Sequence, residues 1–303
     1  MTEPAHGVTV ARTVAATSAA MVAFAANSVL CRLALGHATI DAASFTTIRI
    51  VSGALMLLVV AQLVTASGSR LNTLPHRFAI TRSGSWRAAF ALFGYAIAFS
   101  FAYLTLGAGT GALILFGAVQ LTMIVVALLK GERPGPLQWV GFALAIAGLV
   151  YLVAPGVTAP SPLGALLMAF AGACWGMYSL LGRGSTDATL DTTANFTRAA
   201  PLALATSVVA FASVHVSTRG ALLAVASGAI TSGLGYVIWY AALRGLTATR
   251  AAVVQLVVPL LAALGGVIVL GEVFTQRLGI AGLLILGGVG LAIFARTRTT
   301  ADR

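Results

Sequence analysis

The chain has 303 residues, of which 59% are hydrophobic and only 8% charged, with a mean hydropathy of +0.99. A soluble domain carries about 25% charged residues, so this composition excludes a water-solvated surface and requires one that faces lipid. The formal charge of +11 would suggest nucleic acid in a soluble protein; in a membrane chain Lys and Arg gather in the loops that stay in the cytoplasm, and no nucleic-acid partner is expected.

No Asp, Glu, Lys or Arg occurs from Ala88 to Leu129 or from Pro134 to Gly182. Each of these runs holds two spans of about 20 residues. Hydrophobic stretches between Gly, Pro and charged breakers predict ten transmembrane helices, near 13–35, 42–65, 86–106, 109–130, 136–154, 163–182, 192–212, 219–243, 248–270 and 276–295. The first is read as a retained helix, because no small-residue cleavage site separates it from a soluble domain. One long polar loop, 66–85, carries Arg70, Arg77 and Arg82. With the N-terminus inside, only Arg32, Arg49, Arg219 and Arg277 fall on the outer side. That bias places both termini in the cytoplasm of a cell inner membrane.

The second half repeats the first. Gly131-Glu132 closes helix 4 and Gly271-Glu272 closes helix 9, and the same offset carries Gly148 onto Gly288, Phe99 onto Trp239 and Ala102 onto Ala242. A slightly larger offset sets Arg32 on Arg183, Phe24 on Trp175 and Asn27 on Tyr178. Five helices is an odd number, so the second copy enters the membrane from the opposite side. The expected fold is all-α, two inverted five-helix repeats over 1–156 and 157–303, a plan common among secondary transporters with a midplane site at the repeat interface.

On these features the chain resembles the drug/metabolite transporter superfamily and its EamA-type exporters. The two Gly-Glu-plus-glycine-helix segments, Arg49 on helix 2, the Asn27 region and Trp175-Gly176 carry the resemblance, which spans essentially the whole chain. Helix 1 departs from it, with Phe24-Ala25-Ala26-Asn27 where the family often has a Trp-Gly pair. The resemblance implies export of small metabolites, with amino acids suggested by the family's amino-acid exporters. Export of amphipathic drugs or toxic cations, and a non-transporting scaffold or sensor, are the alternatives.

No phosphate loop, metal-ligand spacing or nucleophile arrangement is present. The expectation is no enzyme, no cofactor and no metal, with a small-molecule substrate and the bilayer as partners of a single chain. Polar side chains in apolar helices must face a cavity or another helix. Asn27, Gln120 and Gln255 therefore either line a cavity or clamp helices together. Aromatic stripes, Tyr95, Phe99 and Tyr103 on helix 3, Trp175 and Tyr178 on helix 6, and Tyr236, Trp239 and Tyr240 on helix 8, each share a helix face. Interfacial belts also use Trp and Tyr, but these stripes reach toward mid-membrane and are expected to line a cavity. Pro259 frees the carbonyl of Gln255 and marks either a polar site and hinge in helix 9 or a kink accommodated by packing. All seven acidic residues lie near loops or helix ends, so the cavity is expected to be uncharged and transport to be facilitated diffusion or exchange. Cys31 and Cys174 lack any zinc or redox spacing and are read as small packing residues, not a disulfide, and Glu132 and Glu272 are read as structural groups at turns.

Overall fold

A computed structural model describes residues 4–66, 82–131, 133–183, 185–246 and 248–301. Its helices are α1 (Pro4–Gly36), α2 (Ala42–Ala66), α3 (Trp86–Ala102), α4 (Ala108–Leu129), α5 (Pro136–Val153), α6 (Pro162–Leu181) and α7 (Ala188–Val209). Thr218–Val225, a π-helical stretch Ala226–Leu234 and Gly235–Leu243 continue as one rod, α8. Ala248–Gln255 and Val257–Leu270 form a broken helix, α9, and Gln276–Ala301 is α10. The single β feature among the described residues is an isolated bridge between Ile40 and Val216.

Eight of these helices are long and apolar enough to cross a bilayer: all but α3 and α7. Thus the expectation of ten spans is met by length and hydropathy in eight. Helix α3 has 17 residues, short of the 20 or so that a perpendicular span requires. Helix α7 carries Asp191, Asn195 and Arg198 on one face, and all three bind the entry to α3. Asp191 accepts from the Gly84 N–H at 2.7 Å, Asn195 accepts from the Ser85 N–H at 2.9 Å, and Arg198 donates to the Ser83 carbonyl at 2.6 Å. Its low hydropathy thus reflects polar groups used between elements. Arg70 and Arg77 of the 66–85 loop lie outside the described residues, as does Glu132.

The two halves interleave. The extensive contacts run between them: α5 with α10, α3 with α6, α4 with α6, α2 with α7, α2 with α8, and α1 with α8 and α9. Replacing each helix by the one five further along, cyclically, turns α3–α6 into α8–α1, α4–α6 into α9–α1 and α2–α8 into α7–α3, all of which pack. The correspondence reaches single residues. A Cβ on Gly148 would press on Leu284 and Ile285 at 2.8 Å, and one on Gly288 would meet Leu144 at 3.0 Å and the Ala145 nitrogen at 2.7 Å. Gly141 and Gly288 lie so close that a Cβ on either would reach 2.5 Å from the other's carbonyl oxygen. The glycines of α5 and α10 thus permit close helix approach.

Side chains such as Val22, Leu55, Val59, Val125, Leu166 and Leu283 are exposed on the outside of the bundle, the surface that a lipid-facing helix needs. On the side of the odd-numbered connections, Glu272 at the end of α9 accepts from the Ala108 N–H through both oxygens, at 2.8 and 3.1 Å. It satisfies a free donor at the α4 N-terminus, where a carboxylate also suits the helix dipole. Arg32 pairs with Glu272 at 3.3 Å and donates to the carbonyls of Tyr103 and Leu104 at 3.0 and 3.2 Å. The expected structural role of Glu272 is thereby visible as a tie between α1, α3, α4 and α9. Nearby, Asp41 caps α2 through the Ser44 N–H and also accepts from the His215 N–H.

Candidate functional site

Helices α1, α3, α4, α6, α8 and α9 enclose a small internal pocket lined by Phe24, Asn27, Ser28, Tyr95, Phe99, Leu115, Phe116, Trp175, Thr231, Ser232, Tyr236 and Gln255. These helices are three from each half. Its volume is about 30 Å³, room for a water or two and too little for a metabolite. Rings hold it narrow: Trp175 stacks on Tyr236 at 5.3 Å and 16° and meets Tyr95 at 5.0 Å. A larger recess of about 220 Å³, lined in part by Arg32, Gly107, Thr158 and Glu272, opens where the odd-numbered connections gather.

Asn27 is the polar hub of the pocket. Its Oδ1 accepts from the Ser227 hydroxyl at 2.7 Å and from Thr231 at 3.2 Å, while its Nδ2 donates to the Tyr95 oxygen at 3.4 Å. Both reasons given for a buried amide thus hold at once: Asn27 lines a cavity and bridges α1 to α3 and α8. Gln255 also lines the pocket, and its Nε2 donates to the Ala251 carbonyl one turn back. The helix breaks at Leu256, immediately after Gln255 and three residues before Pro259, as the missing proline N–H predicts.

The predicted aromatic residues divide. Tyr95, Phe99, Trp175 and Tyr236 line the pocket. Tyr103 is fully buried at the end of α3 and donates to the Ala108 carbonyl at 3.2 Å. Tyr178 stacks on Trp175 from outside the lining, and its hydroxyl, with that of Tyr240, lies near Thr192 of α7. Trp239 sets its ring edge-on to Phe24 at 6.0 Å. Gln120 is half-buried on α4 and is not among the lining residues.

Arg49 changes the electrostatic reading. Counted with the outer-side basic residues, it is instead 2% exposed. It lies about 10 Å along α2 from Ala42 at 1.5 Å per residue. Its Nη2 donates to the Tyr95 oxygen at 2.9 Å and its Nε to Ser232 at 3.3 Å. Its guanidinium carbon stands 5.1 and 4.9 Å from the ring centres of Tyr95 and Phe99, within cation–π range. Three lining residues therefore clasp one cation, and the expected uncharged cavity has a positive charge against its wall. Among the described residues no salt bridge joins Arg49 to a carboxylate; the one found is Arg32–Glu272.

The local sequence explains how Arg49 reaches the pocket. The run Ser227-Gly228-Ala229-Ile230-Thr231-Ser232 lies in the π-helical part of α8, a widened turn of a kind frequent at functional sites. A Cβ on Gly228 would collide with the Arg49 carbonyl oxygen and the Ser52 hydroxyl. Only glycine lets α2 and α8 approach this closely, and that approach delivers Arg49 to Ser232. The hydroxyls of Ser227, Thr231 and Ser232 carried no warning in the sequence, because small hydroxyls satisfy themselves on their own helix as readily as on a ligand. Among the described residues no group of three His, Cys, Asp or Glu could hold a metal ion.

Comparison with known proteins gives a consistent picture. The profile of the EamA-like transporter family matches twice, over residues 12–154 and 162–294. A protein of Pseudomonas aeruginosa, named only as uncharacterized, is 48% identical over 285 residues, covering 94% of this chain and 96% of its own. An uncharacterized transporter of Archaeoglobus fulgidus is 28% identical over 214 residues, covering 66% of this chain and 73% of its own. One crystal structure superposes with a TM-score of 0.61 at 22% identity, covering 92% of this chain and 97% of its own, a likeness of fold.

Proposed function

Because the chain belongs to the EamA-like transporter family, we propose that it is a secondary transporter exporting small metabolites, foremost amino acids, by alternating access through the pocket between its halves. Ten helices in two inverted repeats, about 1–156 and 157–303, supply the two exchangeable arrangements that alternating access needs. The observation that carries this reading is the pocket's composition: α1, α3 and α4 on one side, and their counterparts α6, α8 and α9 on the other. A site made equally by both repeats opens to one face or the other as the repeats exchange roles.

The narrowness of the pocket fits an occluded form, in which Trp175 and Tyr236 must part before a substrate enters. The concentration of Lys and Arg at the ends opposite Arg32 and Glu272 favours cytoplasmic termini in an inner membrane. Arg49 weighs against the drug or toxic-cation alternative. Two like charges 4 Å apart repel by about 4 kcal/mol at an effective dielectric of 20.

The test is counterflow of a radiolabelled amino-acid mixture in proteoliposomes, with Trp175→Ala as the pocket variant. Wild-type vesicles are expected to exceed empty vesicles, and the variant to lose about ten-fold of that flux. Wild-type flux equal to that of empty vesicles would favour a scaffold or sensor instead.

A further inference from the structure

We propose that Arg49 is the substrate's anchor, so that the cargo carries a carboxylate and the cation needed to hold it is built into α2. This assignment deepens the transporter reading and rests on it. Arg49 is buried, yet its Nη1 has no hydrogen-bond partner. Its other contacts, to Tyr95, Ser232 and the Tyr95 and Phe99 rings, hold the guanidinium against the pocket wall without neutralising it. An arginine retained in an apolar interior without a counter-ion is costly unless something supplies the negative charge. A carboxylate suits this role, since guanidinium donors match its geometry.

Tyr95 adds a second donor. Its oxygen accepts from both Asn27 and Arg49, which engages both lone pairs and leaves its own proton to be given away. Tyr95 lines the pocket and the Arg49 guanidinium stands directly behind its hydroxyl, so an O–H and an unpaired N–H belong to one polar cluster at the pocket wall. The rest of the lining includes the rings of Trp175 and Tyr236 and the apolar Phe24, Leu115 and Phe116. That arrangement favours a small monocarboxylate with an apolar or aromatic remainder. An ammonium group adds to such a ligand only through the ring faces and Gln255.

The assignment is tested on purified full-length protein by thermal shift with three probes of one shape: L-phenylalanine, 3-phenylpropanoate and phenethylamine. The two carboxylates are expected to raise Tm and the amine to leave it unchanged. Arg49→Met should weaken carboxylate binding by at least about ten-fold, the scale of a lost charge-assisted hydrogen bond. Arg49→Lys should retain part of the shift, and so guards against a variant that merely fails to fold. Stabilisation by phenethylamine alone, no shift with either carboxylate, or an undiminished carboxylate shift in Arg49→Met would overturn the proposal. The two readings separate in proteoliposomes. Arg49-dependent carboxylate binding without counterflow removes the transport reading and keeps the anchor. Counterflow indifferent to Arg49→Met keeps transport and removes the anchor.

Discussion

At the residue scale, Asn27 and Arg49 sit at the same junction and have opposite consequences for stability. Asn27 satisfies Ser227 and Thr231 and donates to Tyr95. Asn27→Ala should cost about 1–3 kcal/mol through the buried groups it strands, read as a lower Tm together with lost flux. Arg49 is buried without a neutralising carboxylate, so Arg49→Met should keep Tm at or above wild type, because an apolar side chain of similar length removes the desolvation cost. A marked fall in Tm would mean that Arg49 acts as a structural clasp. Asp41, in the α1–α2 connection, gives a pH prediction. Burial disfavours its ionised form, but hydrogen bonds from Ser44 and His215 outweigh that and hold its pKa below the ordinary carboxylate value. A depressed folded pKa stabilises the fold above the unfolded value of about 3.9, and the contribution is lost as pH falls through the folded value. Acidification from pH 5 to pH 3 should therefore lower Tm more in wild type than in Asp41→Asn. At this scale the sequence was readable where a residue type is rare in lipid. Asn27, Gln255 and the rings of Tyr95, Phe99, Trp175 and Tyr236 stood out and do line the pocket. Tyr103, Tyr178, Trp239 and Tyr240 share helix faces with them but stand behind the lining: Tyr103 turns to Ala108, Tyr178 and Tyr240 to Thr192, and Trp239 packs behind Phe24. The burial of Arg49 is not legible, because counting basic residues toward helix ends cannot see that Gly228 of α8 lets that helix pack closely against α2 at this position.

At the element scale, two irregular helices shape the site. Helix α9 breaks at Leu256, and Pro259 prevents the turn from closing. Pro259→Ala should restore a continuous helix and slow counterflow several-fold, while leaving the carboxylate thermal shift in place. An unchanged rate would remove the hinge role and leave an ordinary kink. In α8, the π-helical stretch turns Ser227, Thr231 and Ser232 toward α1 and α2. The break in α9 could be read from one proline, whereas the π-helix could not. Its residues are those of any apolar helix with small hydroxyls, and the widened turn lies where Gly228 packs closely on α2. Helix α7 shows the reverse case. Its Asp191, Asn195 and Arg198 look like poor membrane residues until their partners at Ser83, Gly84 and Ser85 are seen.

At the scale of the whole molecule, the internal repeat was legible because the Gly-Glu turns and the glycine-rich α5 and α10 recur at one offset. The exchange-related packing of Gly148 with Leu284 and Ile285, and of Gly288 with Leu144 and Ala145, follows that offset residue for residue. The interleaving of the halves was not legible, since hydropathy marks where helices are and says nothing of which ones touch. Interleaving matters for mechanism, because helices from both halves surround the same pocket and neither half can move without reshaping it. The direct measurement is the accessibility of a single cysteine at Ser28→Cys, in protein with Cys31 and Cys174 replaced, to an impermeant maleimide added to either side of sealed vesicles. Alternating access predicts labelling from both sides, with added L-phenylalanine altering both rates. Labelling from one side only, with and without the amino acid, would contradict it.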